Sequence, residues 1–321
     1  MTAVRRAAAG LLAAAALALS GCAALLPAPP QTAALNAARP DGLPARVERR
    51  DVPFFPQAEY ECGPAALATA LGAVGIDVRP EALTGQVYLP ARQGSLQLEM
   101  LATARRQGTV AVRLPGTLQA LLAEVAAGHA VVILQNRGLS VAPQWHYAVV
   151  VGYDLDAGEL VMRSGTTERE FMRLDTFERT WARGGHWAFV ALPPGKLPAT
   201  ATEAEVTAAS VAFERVAAPA AAERAYEAAL ARWPASLTLA MGVGNARFGA
   251  GRLRDAADAF ERVARRHDSA AAWVNLAELR LQLGEREAAE AAARRAVARS
   301  EVETRWKAAA DGVLARVQAG R

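Results

Sequence analysis

The order of hydrophobic and polar positions divides the chain into a mixed first part and a purely helical second part. Helical spacing is found in three segments, at 62–74, 95–107 and 118–127, with Ser95 as the predicted N-cap of the second. Strand patterns follow at 131–134, 147–151, 160–162 and 187–191. The turns at 154–158 and 184–185 suit antiparallel hairpins. Helices followed by strands predict an α+β domain over residues 51–195.

The second part carries an internal repeat and no strand pattern. After a predicted linker at 196–204, Ala225-Tyr226 recurs 34 residues later as Ala259-Phe260. Residues 240–251 realign with 273–284 at a spacing of 33. This spacing resembles the tetratricopeptide repeat and predicts an all-α repeat domain over 205–321, with a plain helical bundle as the alternative. Repeats of this kind present a groove, so we expect a protein partner or substrate to bind there.

The first 22 residues form a targeting segment. Arg5 and Arg6 precede an apolar run at 7–19, which is too short to span a membrane. The run ends in Leu19-Ser20-Gly21-Cys22, which resembles the lipobox of bacterial lipoproteins and implies lipidation (palmitate among the acyl groups) of Cys22; an ordinary signal peptide is the alternative. Ala23 then implies anchoring in the outer membrane rather than the inner one, with the protein facing the periplasm.

The Pro- and Ala-rich segment 23–50 is predicted to be an extended tether between lipid and domain. The basic residues are almost all arginine, and removal of Arg5 and Arg6 lowers the formal net charge from +4 to +2. Since no arginine cluster lies among aromatic residues, a nucleic-acid partner is not expected.

The chain has two cysteines. If Cys22 carries lipid, Cys62 is a free thiol in an oxidising compartment with no partner for a disulfide. Such a thiol invites oxidation, so its presence needs a reason. Cys62 is therefore a candidate nucleophile, and a buried, inert cysteine is the alternative.

The residues around Cys62 suit thiol chemistry. Pro64 fits the first turn of a helix, so Gly63-Pro64 predicts that a helix begins at Cys62. The helix dipole favours a thiolate at this end, and the thiolate is the reactive form. Gln57, on the incoming loop, is a candidate donor to the developing oxyanion, and the Cys62 amide is a candidate second donor.

His146 is the candidate general base. It stands 84 residues after Cys62, at the start of the most apolar strand of the chain. A histidine at the edge of the core, bonded to a backbone carbonyl, is the alternative. His129 and His186 are expected to be structural. Neither a metal nor a cofactor is expected, since no two histidines are close in sequence and no cysteine is spare.

Together, Gln57, the segment 61–65 and the segment 145–154 resemble the bacteriocin-processing (double-glycine leader) peptidases of the papain-like superfamily. The resemblance covers about residues 50–195 and implies a papain-like, two-lobed cysteine peptidase domain. It implies Cys62 as nucleophile, His146 as general base and acid, and Gln57 as oxyanion donor. The whole arrangement also resembles a group of proteobacterial lipoproteins with a cysteine peptidase domain and tetratricopeptide-like repeats.

The third catalytic position departs from that family. Its members carry Asp or Asn on the strand after the histidine strand, whereas Ser164 stands there in this chain. A serine hydroxyl can accept the imidazole N–H but supplies no charge to stabilise an imidazolium. The alternative is that Ser164 only packs in a turn.

These features predict a membrane-anchored thiol hydrolase, namely a cysteine peptidase that cleaves peptide or amide bonds of a peptide or protein substrate. A catalytically weak or inactive papain-like lipoprotein that binds peptides is the second hypothesis, motivated by Ser164. Transfer of the acyl group to an amine instead of water is the third, because it uses the same residues.

Overall fold

The structure, a computed structural model, describes residues 27–57, 61–92 and 94–319. The predicted targeting segment and Cys22 lie outside the described residues. Within the described ranges, no helix has both the length and the apolar character needed to cross a bilayer.

The first part of the chain is built on an antiparallel sheet of seven strands. The strands are β1 Arg46–Glu48, β4 Val110–Arg113, β5 Val131–Asn136, β6 Trp145–Asp154, β7 Glu159–Ser164, β8 Thr167–Arg173 and β9 Ala188–Leu192. Their order is β4-β9-β5-β6-β7-β8, and β1 pairs with the far end of β6. A separate hairpin joins β2 Tyr88–Leu89 to β3 Gly94–Ser95.

Helices cover both faces of the sheet. One face packs on α2 Cys62–Gly72, α3 Pro80–Val87 and α4 Gln97–Arg106. The other packs on α1 Pro30–Ala37, α5 Leu118–Ala126 and α6 Leu174–Arg183. In β5, Val132 and Leu134 face the first layer while Val131 and Ile133 face the second. This burial on both sides explains why β5 reads as a continuous apolar run.

The remaining helices form the repeat region. They are α7 Glu203–Glu214, α8 Pro219–Arg232, α9 Leu237–Gly249, α10 Leu253–His267, α11 Ala270–Gln282, α12 Arg286–Ser300 and α13 Lys307–Ala319. A Cβ added at Gly242 would overlap the ring of Tyr226, and one at Gly244 would overlap the ring of Phe260. The aromatic residues that marked the repeat therefore pack directly on glycines of α9. The predicted α+β domain followed by an all-helical region is confirmed.

The segment predicted as an extended tether is ordered instead. Over 27–50 it forms α1, which buries Leu35, and β1, which joins the sheet. The buried carboxylate of Glu178 accepts hydrogen bonds from the amides of Gln31 and Thr32 and from the Thr32 hydroxyl. The prediction of an extended tether is wrong here because the hydrogen-bond acceptor for the first amides of α1 is Glu178, 146 positions from Thr32.

Two local predictions were also wrong. Ser95 is not the cap of α4. It lies in β3, where it pairs with Tyr88 of β2, and the helix begins at Gln97. Gly184-Gly185 does not form a hairpin turn but ends α6 and leads into β9. In both places the residue type correctly indicated a break between elements, but tertiary contacts decide which elements the break joins.

Candidate active site

Helix α2 begins at Cys62, as the Gly63-Pro64 sequence predicted. Every residue from Cys62 to Leu71 is buried, so the helix is embedded between the sheet and its neighbours. Gly63 is required by a close approach, since a Cβ there would overlap the side chain of Ser95. The local sequence thus sets the position of the thiol at the start of a buried helix.

Burial decides the charge of Cys62. The residue is 8% exposed, and burial raises the pKa of its thiol above the ordinary value. The backbone amides of Tyr147, Gly63 and Cys62 donate towards the sulfur and oppose this rise, as does the positive charge of Arg137. Burial outweighs these favourable interactions. The position of Cys62 at a helix start therefore does not lower the pKa of its thiol, as that position alone would suggest.

His146 lies near the start of β6, opposite Gln135 of β5, and is 8% exposed. Its Nε2 is 2.8 Å from the Oγ of Ser164, at the end of β7. Burial, and after it the positive charge of Arg137, lower the pKa of His146 to about 4, while Glu170 opposes the change. The ring is therefore neutral at pH 7.

The partner of Ser164 was not found in the sequence. A guanidinium N–H of Arg137 donates to Ser164 Oγ at 2.9 Å, and the same nitrogen lies 2.8 Å from a carboxylate oxygen of Glu170. Ser164 thus lies between a guanidinium and an imidazole. Arg137 follows β5 and Glu170 lies on the largely exposed strand β8, so no motif joined these residues to His146.

A narrow cleft brings together three of the four candidate catalytic residues, all except His146. Its lining includes Gln57, Cys62, Tyr147 and Ser164, and its volume of about 10 Å³ is the room one water molecule needs. The backbone amide of Gln57 donates to the carbonyl of Gly165 at 3.1 Å, which fixes the loop beside Ser164. His146 reaches the cleft through Ser164. Among the described residues, no hydrogen bond joins the His146 ring to Cys62.

Arg163 holds the loop that leads to Cys62 against β7. It is 4% exposed, and its guanidinium donates to the carbonyls of Val52, Glu168 and Arg50. No motif marked Arg163 in the sequence, although an arginine inside an otherwise apolar strand indicates buried acceptors.

Two other histidines, His129 and His186, contact structural neighbours. His129 Nδ1 is 2.6 Å from the buried carboxylate of Glu124, which also accepts from the backbone at Ala199 and Thr200 and so fixes the predicted linker. The ring of His186 lies edge-on to Trp181. In the part of the chain that is described, no group of three or more His, Cys, Asp or Glu residues is placed to hold a metal ion.

With this geometry established, the first domain can be set beside known protein families. Residues 49–188 match the Peptidase_C39 like family. The matched range contains the four predicted catalytic residues, and the resemblance found in the sequence is confirmed. No curated protein matches the chain.

Solved structures match each part of the chain. A C39-like peptidase from Bacillus anthracis is 19% identical, with 46% of this chain and 97% of that one covered and a TM-score of 0.39. A double-glycine motif protease from an AMS/PCAT transporter, solved with the leader peptide, is 20% identical, with 46% and 98% covered and a TM-score of 0.34. YrrB, a tetratricopeptide repeat protein, is 20% identical, with 37% and 60% covered and a TM-score of 0.32.

Proposed function

We propose that the C39-like domain is a thiol hydrolase, a cysteine peptidase with Cys62 as nucleophile and His146 as general base. One observation carries the proposal: Cys62 and Ser164 line the same cleft, and Ser164 Oγ bonds the imidazole of His146 at 2.8 Å. The amide next to His146, that of Tyr147, donates to the sulfur. The site thus contains a candidate nucleophile, a candidate base and a group that orients the base.

The two pKa shifts define how the reaction starts. At pH 7 both the thiol and the imidazole are neutral, so the proton moves from sulfur to His146 as the sulfur attacks the carbonyl carbon. We assign the ring proton to Nε2, which then donates to Ser164 Oγ, so Nδ1 is the ring nitrogen that takes the proton from sulfur. The negative charge goes to the carbonyl oxygen, with the Gln57 side chain and the Cys62 amide as donors. His146 returns the proton to the leaving amine, and water then hydrolyses the thioester.

The location of the protein is part of the proposal. The apolar run before Leu19-Ser20-Gly21-Cys22 supports lipidation of Cys22, and Ala23 supports the outer membrane with the domain facing the periplasm. Two or more acyl chains give a stable anchor. The helical repeats would then recruit the peptide or protein substrate, or a partner, to the catalytic domain.

A weak or inactive peptide-binding domain is the second candidate, and a specific observation favours it. Burial and Arg137 together hold His146 uncharged, and Ser164 adds no negative charge to stabilise an imidazolium. The ion pair that most activates a thiol is therefore disfavoured in the resting site.

Turnover of a library of quenched fluorescent peptides tests the two candidates. Cys62→Ala should lower hydrolysis at least about 10³-fold, and Gln57→Ala about 10²-fold if its amide serves the oxyanion. Cys22→Ala, assayed in detergent, is the matched cysteine control and should keep full turnover. Hydrolysis that survives Cys62→Ala would contradict the enzyme.

Ser164→Asp separates an active site from an inactive one. A carboxylate in place of the hydroxyl would stabilise the imidazolium, so turnover should rise about 10-fold in a working peptidase. Tight peptide binding without turnover, in both the parent and Ser164→Asp, would favour the peptide-binding candidate instead.

A further inference from the structure

An exposed apolar tip lies beside the candidate active site. The turn between β5 and β6 exposes Leu139 (70%) and Val141 (91%), and Trp145 at the start of β6 is 55% exposed. None of the three lines the cleft that contains Cys62. These side chains thus form an apolar surface, here called the β5–β6 tip, that is separate from the cleft.

The tip has a defined conformation. The side-chain oxygen of Asn136 accepts hydrogen bonds from the amides of Gly138 and Gln144, at 3.0 and 2.9 Å. Leu139 and Ala142 form a β-bridge at its end. The backbone is therefore held from within, and the apolar side chains project from a rigid base.

The N-terminal segment enters the domain close to this tip. On α6, Arg179 donates to the carbonyl of Pro27 at 2.6 Å, and Arg183 donates to the carbonyl of Asn136 at 3.1 Å. The two arginines are four residues apart, which is about 6 Å along a helix. One turn of α6 therefore connects the start of the described chain to the base of the β5–β6 tip.

The distance from Pro27 to the proposed lipid is short. Cys22 stands five residues earlier, and five residues of fully extended chain reach at most about 18 Å. Because 27–50 is folded onto the domain, that short stretch is all that separates the domain from an acylated Cys22. The side of the domain that carries Pro27 is then held within that distance of the bilayer, and Arg179 and Arg183 connect Pro27 to the base of the tip.

The charges of this face suit a membrane as well. The tip sequence from Arg137 to Gln144 has no acidic residue. Arg179 and Arg183 bond backbone carbonyls, and neither forms an ion pair with another described residue. Their positive charge favours anionic headgroups, and Trp is enriched at the membrane interface.

We propose that the β5–β6 tip inserts Leu139, Val141 and Trp145 into the membrane interface, and so holds the cleft beside the lipid surface. The inference rests on the proposed lipid at Cys22. Because His146 follows Trp145 directly, an inserted tip would place the proposed general base close to the membrane surface.

An environment-sensitive fluorophore on the acylated full chain tests this insertion. The chain, with Cys62→Ala, is reconstituted in vesicles of phosphatidylethanolamine and phosphatidylglycerol and labelled at Leu139→Cys or Val141→Cys. Leu98→Cys and Val302→Cys are matched controls, since those residues are 73% and 72% exposed elsewhere. Nitroxide lipids should quench the tip labels at least about twofold more than the controls, because an inserted apolar face lies about 5–10 Å into the interface.

The outcomes separate this inference from the anchor. A chain that floats with the vesicles while its tip labels stay in water would overturn the insertion and leave lipidation standing. A chain that does not float would overturn both. A tip label that leaves water only when a peptide is added would identify a peptide contact, and would also overturn membrane insertion.

Discussion

The two sides of the candidate active site are built in different ways. The cysteine side, Cys62 with helix α2, is set by adjacent residues, because Gly63-Pro64 starts the helix where the sulfur lies. The histidine side consists of His146, Ser164, Arg137 and Glu170, which come from four separate parts of the sheet region. A nucleophile can be placed by one turn of helix, whereas the orientation and charge of its base depend on strand register.

The comparison also explains why the site is uncharged at rest. Both sides are buried, and burial raises the pKa of the thiol while it lowers the pKa of the imidazole. Arg137 favours the thiolate on the cysteine side and disfavours the imidazolium on the histidine side. One guanidinium therefore acts on both sides in opposite senses, and changes at this residue test how the sides are coupled.

The largest expected effect comes from the residue that joins the two sides. Arg163→Met removes the donors to the carbonyls of Val52, Glu168 and Arg50. Leaving buried acceptors unpaired should lower the free energy of unfolding by about 3 kcal/mol, measured by urea denaturation. Arg173→Met, at an exposed ion pair with Asp175, is the control and should cost less than about 1 kcal/mol. Equal losses would show that Arg163 does not join the two sides.

The next largest effect is on the pH dependence of the free energy of unfolding, and it depends on the histidine side alone. The pKa of His146 is about 4 in the fold against 6.5 unperturbed, so the unfolded chain binds the proton more readily between these values. Its contribution to stability is fully present above about pH 6.5 and falls as the pH drops towards 4, by at most about 3 kcal/mol. Urea denaturation at pH 7 and pH 4.5 should therefore show a smaller loss in His146→Gln than in the parent chain. Parallel losses would contradict a buried, neutral His146.

The smallest effect tests the coupling through Arg137. Arg137→Gln should raise the pKa of His146 by up to about one unit, because a nearby positive charge disfavours the imidazolium. Glu170→Gln should lower it, since Glu170 acts in the opposite sense. Titration of the imidazole by NMR measures both shifts.

The control for that coupling is Arg169→Gln, which removes an exposed arginine bonded to Glu48. It should leave the His146 titration unchanged. In Arg137→Gln, alkylation of Cys62 should also slow at a given pH, because the thiolate loses a favourable charge. A faster reaction would show that the two sides are not linked through Arg137.

Predictions from the sequence succeeded where neighbours along the chain set the structure. The start of α2, the apolar strand β6 and the recurrence of Tyr226 as Phe260 follow from residue spacing or from one turn of helix. They failed for α1, because Glu178 supplies its N-terminal acceptor from far along the chain. Strand β8 was missed because most of its residues are exposed and carry no apolar pattern.

A C39-like domain with a cysteine at a helix start, followed by helical repeats, could be inferred from the amino-acid sequence alone. Those features depend on motifs and periods that neighbouring residues carry. The hydrogen bond between Ser164 and His146, the contacts of Arg137 with Ser164 and Glu170, and the uncharged resting state of the site became visible in the folded chain. The reason is physical: desolvation and Coulomb energy depend on every group packed around an atom, and sheet register brings those groups from distant parts of the chain.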